Sequence, residues 1–336
     1  MYRTTALPWP PVFVRRTSQP LRSIMPSRAL AEHAPLEEDA ERVSQLHLDR
    51  LLLTREEYSK AVATAAAARA VHEVAIRTPG LSNADRHDLE ARFHAVYGRC
   101  FLKCQNCWLL PGMCVCQRLT VRNIAPHHVA LLVHHKEAGR ASNTGCLLTK
   151  SVGATMHMSG LLDDEAKLDA LLAAKPGTAA VLWPGEGAAS AEEWKASLPS
   201  GAFDAGITLI GVDGTWGCAR RMVKRIPASI PRISLPADAF AEGKSLLYPV
   251  RKYRGECLEK HCTYEATLAG LCTLGIVPLD AKEQLLLNLK CKVDALLIYK
   301  NRATAYSGET GISRPTTKRM AAAHAGLESS EDDDDI

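Results

Sequence analysis

Residues 207–225 read ITLIGVDGTWGCARRMVKR. The run 207–212 has the length and texture of a strand buried on both faces of a parallel sheet. Asp213 and Gly214 end it, and from Trp216 onward the chain reads as a helix, basic at Arg220, Arg221, Lys224 and Arg225. A strand that passes through a short loop into a helix is the building step of an α/β domain. Ligands of such sheets bind at the carboxyl ends of the strands. Asp213 therefore stands either at a reactive edge or simply as the N-cap of the next helix, a position Asp commonly takes.

The same texture recurs on both sides of this stretch. Residues 129–135 (VALLVHH), 178–183 (TAAVLW, closed by Pro184-Gly185) and 232–235 (RISL) read as further strands. Residues 142–153 read as a turn and then a helix, and helices are expected near 191–195, 263–274 and 281–299. Short apolar strands alternating with helices predict an α/β fold, a mostly parallel sheet covered by helices. Three unusual loops then fall at strand carboxyl ends: 134–137 (HHKE) with 142–145 (SNTG), 183–187 (WPGEG) and 213–216 (DGTW). Their convergence on one edge is the main pointer to function.

Upstream, residues 36–74 are helical in composition, and Thr54 with Glu57 predicts a capping box at the start of a second helix. Pro79, Gly80 and Ser82 break that helix, and Asn83 is expected to cap a third. The expected organisation is an arm at 1–34, a helical extension at 35–98 and the α/β domain at 99–300, with a cysteine knuckle at 100–118. A polar, acidic, disordered tail is expected at 301–336, ending EDDDDI.

The chain of 336 residues is 46% apolar and carries a net charge of +4. Such a mild excess permits a polyanionic partner without demanding one. No run of about 18 apolar residues is present, so no membrane-spanning helix and no membrane partner is expected. The first 31 residues hold five arginines and no acid. That is the composition of a mitochondrial presequence; the alternative is a basic arm on a cytoplasmic or nuclear protein.

Cys104, Cys107, Cys114 and Cys116 are spaced C-x2-C-x6-C-x-C, with Pro111-Gly112 placed to turn one pair back on the other. Four soft thiolates close a tetrahedral zinc shell and leave no open position, so a structural zinc is expected. Cys100 is a fifth candidate, and an iron–sulfur cluster is the alternative occupant.

Asp213, arriving from an apolar strand, is expected to be partly desolvated, which raises a carboxyl pKa and makes it a better base. Arg220, Arg221 and Lys224 suit phosphates, or else form a solvated face. Tyr248, Arg251, Lys252 and Tyr253 interleave aromatic and basic side chains, as RNA contacts do. The glycines of WPGEG let backbone approach a ligand closely. The patterns GxGxxG, GxxxxGK[ST] and GxSxG are absent. The usual dinucleotide, nucleoside-triphosphate and serine-hydrolase signatures are therefore missing.

Taken together, these blocks resemble the DTW-domain family, the tRNA-uridine aminocarboxypropyltransferases. The family's Asp-x-Thr-Trp signature is matched by Asp213, Thr215 and Trp216, and the cysteine pairs match its N-terminal pattern. HHKE is similar to its His-Pro-x-Glu, with His135 in place of the proline, and Asn143-Thr144-Gly145 matches its Asn-Thr-Gly. LWPGEGA matches a strand-end loop. Tyr248, Arg251 and Lys252 match Tyr-x-x-Arg-Lys, and Thr263, Glu265 and Ala266 match a Ser-Thr-x-Glu-Ala ending in which Cys262 replaces the serine. These blocks in the family's order, over roughly residues 100–300, are specific where any one would be weak. The extension 35–98 lies outside the resemblance.

The resemblance implies an α/β domain related to the knotted SPOUT-type methyltransferases, with S-adenosylmethionine as co-substrate. It implies transfer of the 3-amino-3-carboxypropyl group to N3 of a tRNA uridine, with release of methylthioadenosine. On that reading Asp213, Thr215 and Trp216 form the catalytic loop, Asp213 taking the N3 proton. Pro184, Gly185, Glu186, Gly187, Ile233 and Leu235 hold S-adenosylmethionine. Asn143, Thr144, Arg220, Arg221, Lys224, Arg251 and Lys252 meet tRNA or substrate, and Cys104, Cys107, Cys114 and Cys116 hold zinc. The alternatives are methyl transfer to RNA by the same broad fold, and a zinc-knuckle RNA-binding protein without chemistry.

Overall fold

A computed structural model describes residues 43–97, 101–174, 176–240, 244–251 and 260–313. The arm 1–34, Cys100, Lys252, Tyr253 and residues 314–336 lie outside them. Six strands, β1 (His128–His134), β2 (Thr155–Ser159), β3 (Ala179–Leu182), β4 (Ala189–Ser190), β5 (Thr208–Asp213) and β6 (Arg232–Ser234), form one sheet. Their order is β2-β1-β5-β3-β6-β4, and every neighbouring pair is parallel. The chain thus adopts the expected α/β fold. The two strands without a sequence signature, β2 and β4, lie at the two edges. An edge strand is flanked on one side only, so TMHMS and Ala-Ser need not be continuous apolar runs.

The helices are α1 (Gln45–Leu51), α2 (Arg55–Ile76), α3 (Asn83–Val96), α4 (Leu148–Ser151), α5 (Leu162–Ala174), α6 (Ala191–Ser197), α7 (Trp216–Val223), α8 (Tyr248–Arg251), α9 (Thr263–Thr273), α10 (Leu279–Tyr299) and α11 (Ser307–Thr310). Strand side chains alternate between two layers. Val129, Leu131, Val133 and Leu209 pack with Tyr264, Leu268 and Leu271 of α9 and Leu285 and Leu289 of α10. Ala130, Leu132, Val181 and Ile210 face the other way, toward Leu168 of α5 and Ala219, Met222 and Val223 of α7. Truncating a buried leucine such as Leu131 or Leu209 to alanine costs about 2–5 kcal/mol.

The extension is fastened to this domain at two places. Gly112, in the cysteine turn, lies so close to the end of α1 that an added Cβ would stand 3.0 Å from the Arg50 carbonyl oxygen. On the far side Asp88 of α3 accepts from Leu162 N at 2.9 Å, which caps α5, and Arg92 joins Asp88 to Asp163 at 2.6 and 3.1 Å. The Thr54–Glu57 capping box forms as expected. For α3 the cap is Ser82, not Asn83: Ser82 exchanges hydrogen bonds with Asp85, and Asn83 is already helical. A capping box needs an acceptor three residues on, and the residue three after Asn83 is Arg86.

The expected tail does not begin at 301. Asp294, fully buried on α10, accepts from Ala305 N, Tyr306 N and Thr310 Oγ1 at 2.7, 3.0 and 2.7 Å, which draws residues 301–313 back onto the domain. Tyr306 then donates to the Leu246 carbonyl at 2.9 Å and supports the segment that leads into α8. No helix among the described residues is long and apolar enough to cross a membrane.

Candidate active site and cysteine centre

Parallel pairing puts every strand's carboxyl end on one edge. In register, Val133 stands opposite Asp213, and His134 opposite Ser159. The opening ambiguity at Asp213 resolves here. Thr215, not Asp213, caps α7, accepting from Cys218 N at 3.5 Å. The Asp213 carboxylate points instead into the α9 layer, where it is 7% exposed. Asn143 Nδ2 donates to its Oδ2 at 2.7 Å, and Thr263 Oγ1 donates to its Oδ1 at 3.1 Å. Burial pushes the Asp213 pKa up; the Asn143 and Thr263 hydrogen bonds and the Lys292 charge oppose that shift without cancelling it. Gly145 completes the cradle. A Cβ there would lie 2.2 Å from Asp213 Oδ2, so the carboxylate occupies the space of the missing side chain.

Asn143 and Thr144, expected to meet substrate or RNA, are 5% and 4% exposed. Asn143 uses its oxygen to accept from Cys146 N at 3.1 Å while its amide holds Asp213, and Thr144 hydrogen-bonds Cys262. Both serve the carboxylate's surroundings from within the core. Cys262 occupies the N-cap of α9, and Glu265 accepts from its backbone N–H at 2.9 Å. The carboxylate thereby provides the half of the capping box that does not depend on the residue at 262. Glu265 also accepts from Ser245 Oγ at 2.6 Å and Leu246 N at 2.7 Å, which ties α9 to the start of the YPVR turn.

Above Asp213 the edge is open. Trp216 is 46% exposed, its ring 5.6 Å from that of Trp183 at 55° and under the Lys260 ammonium at 5.4 Å. Arg220 and Arg221 on α7, and Lys224 at its C-cap, are exposed. Arg251 is half-buried and donates to the carbonyl of the exposed Lys260. His134, at the end of β1, accepts from Lys136 N at 3.2 Å; burial, and then the charges of His135, Lys136 and Arg221, push its pKa down to about 4. Glu137 pairs with Arg140 at 2.8 Å.

The residues expected to hold S-adenosylmethionine do not all meet. Glu186 and Gly187 line an open groove of about 430 Å³ with Trp183, Lys224, Ile230 and Arg232, and Pro184 and Gly185 are exposed on the same loop. Ile233 is fully buried. Its side chain belongs to the core layer of α9, and its carbonyl accepts from Trp183 N at 2.9 Å. Leu235 packs against that same layer and lies 3.7 Å from the Cβ position of Gly270. The RISL strand therefore braces the WPGEG loop from inside the sheet: Arg232 reaches the groove, whereas Ile233 and Leu235 turn into the core.

The four cysteines close into one cluster. Cys104 N donates to the Leu109 carbonyl and Trp108 N to the Cys104 carbonyl, both at 2.9 Å, which folds the first pair into a tight turn. A single 3-10 turn at Pro111–Met113 brings round the second pair. The Sγ–Sγ distances are 3.6 Å for Cys104–Cys116, 3.7 Å for Cys107–Cys114 and 3.5 Å for Cys104–Cys114, with all four sulfurs within 4.8 Å of one another. Thiolates around zinc at about 2.3 Å stand about 3.8 Å apart along a tetrahedron edge, whereas a disulfide needs about 2.05 Å. Hydrogen bonding to Cys104 pushes the Cys114 and Cys116 thiols up. Four thiolates this close need a cation between them, and the donor set fits zinc.

Lys292 carries no motif, yet it lies beneath both centres, fully buried. Its Nζ donates to the Cys107 carbonyl at 2.7 Å and to Cys146 Sγ at 3.0 Å. One signal for it exists in the sequence: Leu285, Leu289, Lys292 and Leu296 follow the three- and four-residue spacing of a single apolar helix stripe. A lysine in such a stripe is inside the protein.

No curated protein and no solved structure matches the chain. A family model does: the DTW domain matches residues 102–297. That span runs from the cysteine turn through the Asp213 edge to Lys292 and the end of α10. With the signature residues gathered around one buried carboxylate, and more than half of the sequence matched, the chain belongs to the DTW-domain family.

Proposed function

We propose that this protein is a tRNA-uridine aminocarboxypropyltransferase that uses S-adenosylmethionine. The observation that carries the reading is Asp213: a desolvated carboxylate, held by Asn143 and Thr263 at the sheet's carboxyl edge, in the loop that carries the exposed Trp216. Membership of the DTW-domain family is consistent with a tRNA-modifying enzyme. S-adenosylmethionine supplies an alkyl group already attached to a good leaving group, the sulfonium. The chain's own task is to orient the nucleophile and take its proton. Uridine N3 forms the new bond to the γ-carbon as the carbon–sulfur bond breaks, methylthioadenosine departs, and the N3 proton passes to Asp213. A carboxylate whose pKa is raised by burial is a stronger base than one in water. Trp216 and Trp183 offer ring faces for stacking a base, and Arg220, Arg221, Lys224 and Lys260 offer charge to phosphates. The first 31 residues, acid-free and arginine-rich, support a mitochondrial address, checked by imaging a fluorescent fusion of the full chain.

Incubation with S-adenosylmethionine and unmodified tRNA tests the reaction. Release of methylthioadenosine, with 3-(3-amino-3-carboxypropyl)uridine in the digested tRNA, is the expected result. Formation of S-adenosylhomocysteine would assign methyl transfer instead. Tight tRNA binding with neither product would assign a binding protein.

A further inference from the structure

Between the cysteine cluster and Asp213 runs an unbroken chain of buried hydrogen bonds. The Cys107 carbonyl accepts from Lys292 Nζ at 2.7 Å, and Lys292 Nζ donates to Cys146 Sγ at 3.0 Å. The Cys146 backbone N–H donates to Asn143 Oδ1 at 3.1 Å, and Asn143 Nδ2 donates to Asp213 Oδ2 at 2.7 Å. The Cys146 thiol also donates to the Asn143 carbonyl at 3.5 Å, which closes the turn on itself. Cys107, Lys292 and Cys146 are fully buried, and Asn143 and Asp213 nearly so. Lys292 therefore grips two loops that nothing in their own sequence fixes to one another, the first cysteine pair and the Asn143–Cys146 turn.

A buried ammonium is retained against a large desolvation cost, so its surroundings must favour the charge. Two negative centres do so here. One is the carboxylate of Asp213, whose ionisation the Lys292 charge favours. The other is a zinc centre of four thiolates, which carries a net charge of about −2 when filled. A neutral side chain of similar size would fill the space without supplying either interaction.

We propose that Lys292 is a positioning residue for Asp213, clamping the Asn143–Cys146 turn to the cysteine knuckle so that the carboxylate is held in place from the metal centre. The zinc site is then more than a staple for its own loop, because the same lysine fastens it to the reactive edge. The proposal rests on Asp213 being the base of the transferase reading. Its test is chosen to need neither S-adenosylmethionine nor RNA, so it can fail or succeed independently of that reading.

The test is a carbon-13 NMR titration of the Asp213 carboxyl in the full-length, zinc-loaded protein, with the resonance assigned by its loss in Asp213→Asn. In Lys292→Met the titration midpoint should rise by on the order of one pH unit, the size expected when a nearby opposite charge is removed. Far-ultraviolet dichroism and zinc content serve as controls for folding. An unchanged midpoint in folded, zinc-loaded Lys292→Met would overturn the proposal, since a merely space-filling lysine would leave Asp213 untouched. If Lys292→Met does not fold, Cys146→Ala decides, because it removes the sulfur that Lys292 grips and keeps the charge. A displaced Asp213 resonance in that variant supports the clamp, and one superimposable on wild type refutes it.

Discussion

Gly145 is the residue on which the Asp213 carboxylate rests, and it carries the sharpest prediction. A methyl group there would collide with Asp213 Oδ2 at 2.2 Å, so Gly145→Ala must push the carboxylate out of reach of Asn143. A misplacement of about 1 Å costs about 100-fold in rate, and methylthioadenosine release should fall by at least about that factor; the melting temperature should fall too, since overpacking and an orphaned buried amide each cost about 1–3 kcal/mol. Asp213→Asn should abolish turnover. It should also reveal the cost of ionising Asp213. Because burial raises this pKa above the ordinary 3.8, the group's contribution to stability is complete below 3.8 and is lost as pH rises through the folded value. The neutral asparagine is spared that loss. Urea unfolding over a pH series should show the stability difference moving in the variant's favour as pH rises. The acid limb of wild-type activity should lie above the usual carboxylate range for the same reason, since the base must be ionised to act. At this scale the sequence went far: an aspartate at the end of an apolar strand is legible as a desolvated carboxylate. Asn143 was legible as a site residue, yet its partner was not, because Asn143 and Asp213 are brought together only when β1 pairs with β5.

Among the elements, α3 is where two unexplained features meet. The family resemblance accounts neither for the helical extension nor for His135. In space His94 of α3 stacks on His135 at 5.5 Å and 27°, with His134 and His87 beside it at 4.4 and 6.3 Å from the same ring. The side chain that replaces the family's proline is part of the extension's docking surface. Burial lowers the pKa of both His134 and His135, so both are neutral in the fold. A lowered folded pKa means stability that is present above the unfolded value of 6.5 and is lost as pH falls through the folded value, about 4 for His134. Glu90 of α3 offers partial relief to His94 and His135, whereas Lys136 and Arg221 add to the repulsion. Hydrogen-exchange protection factors across α3, taken relative to the intrinsic rate at each pH, should therefore fall between about pH 6.5 and pH 4 before those of the sheet amides do. Ser82→Ala should cost about 1 kcal/mol by removing the cap of α3, read from the unfolding midpoint. Central strands and long helices were legible at this scale because burial on two faces leaves a continuous apolar run. The edge strands β2 and β4 were not, since pairing on one flank imposes no such pattern.

For the whole molecule, the cysteine cluster joins the extension, the sheet and the Asp213 edge. Gly112 abuts α1, Cys107 is gripped by Lys292 of α10, and Asn288 brackets the outgoing chain by accepting from Thr120 N and donating to Thr120 O, each at 2.8 Å. Stripping the metal with a chelator should thus lower the melting temperature of the entire domain and not merely unravel residues 104–116, and Cys114→Ser should reproduce the effect. Metal analysis of purified protein should find about one zinc per chain. Local sequence pattern alone specifies the α/β class, the central strands, the cysteine cluster and the aspartate at the strand end. Each of these is written in local spacing: a period of two or of 3.6, a pair of cysteines, a break after an apolar run. Long-range packing alone joins Asn143 to Asp213, turns Ile233 and Leu235 into the core, and puts Lys292 beneath Cys107 and Cys146. Those placements depend on strand order, and parallel strands far apart in sequence become neighbours through crossovers that no local pattern encodes.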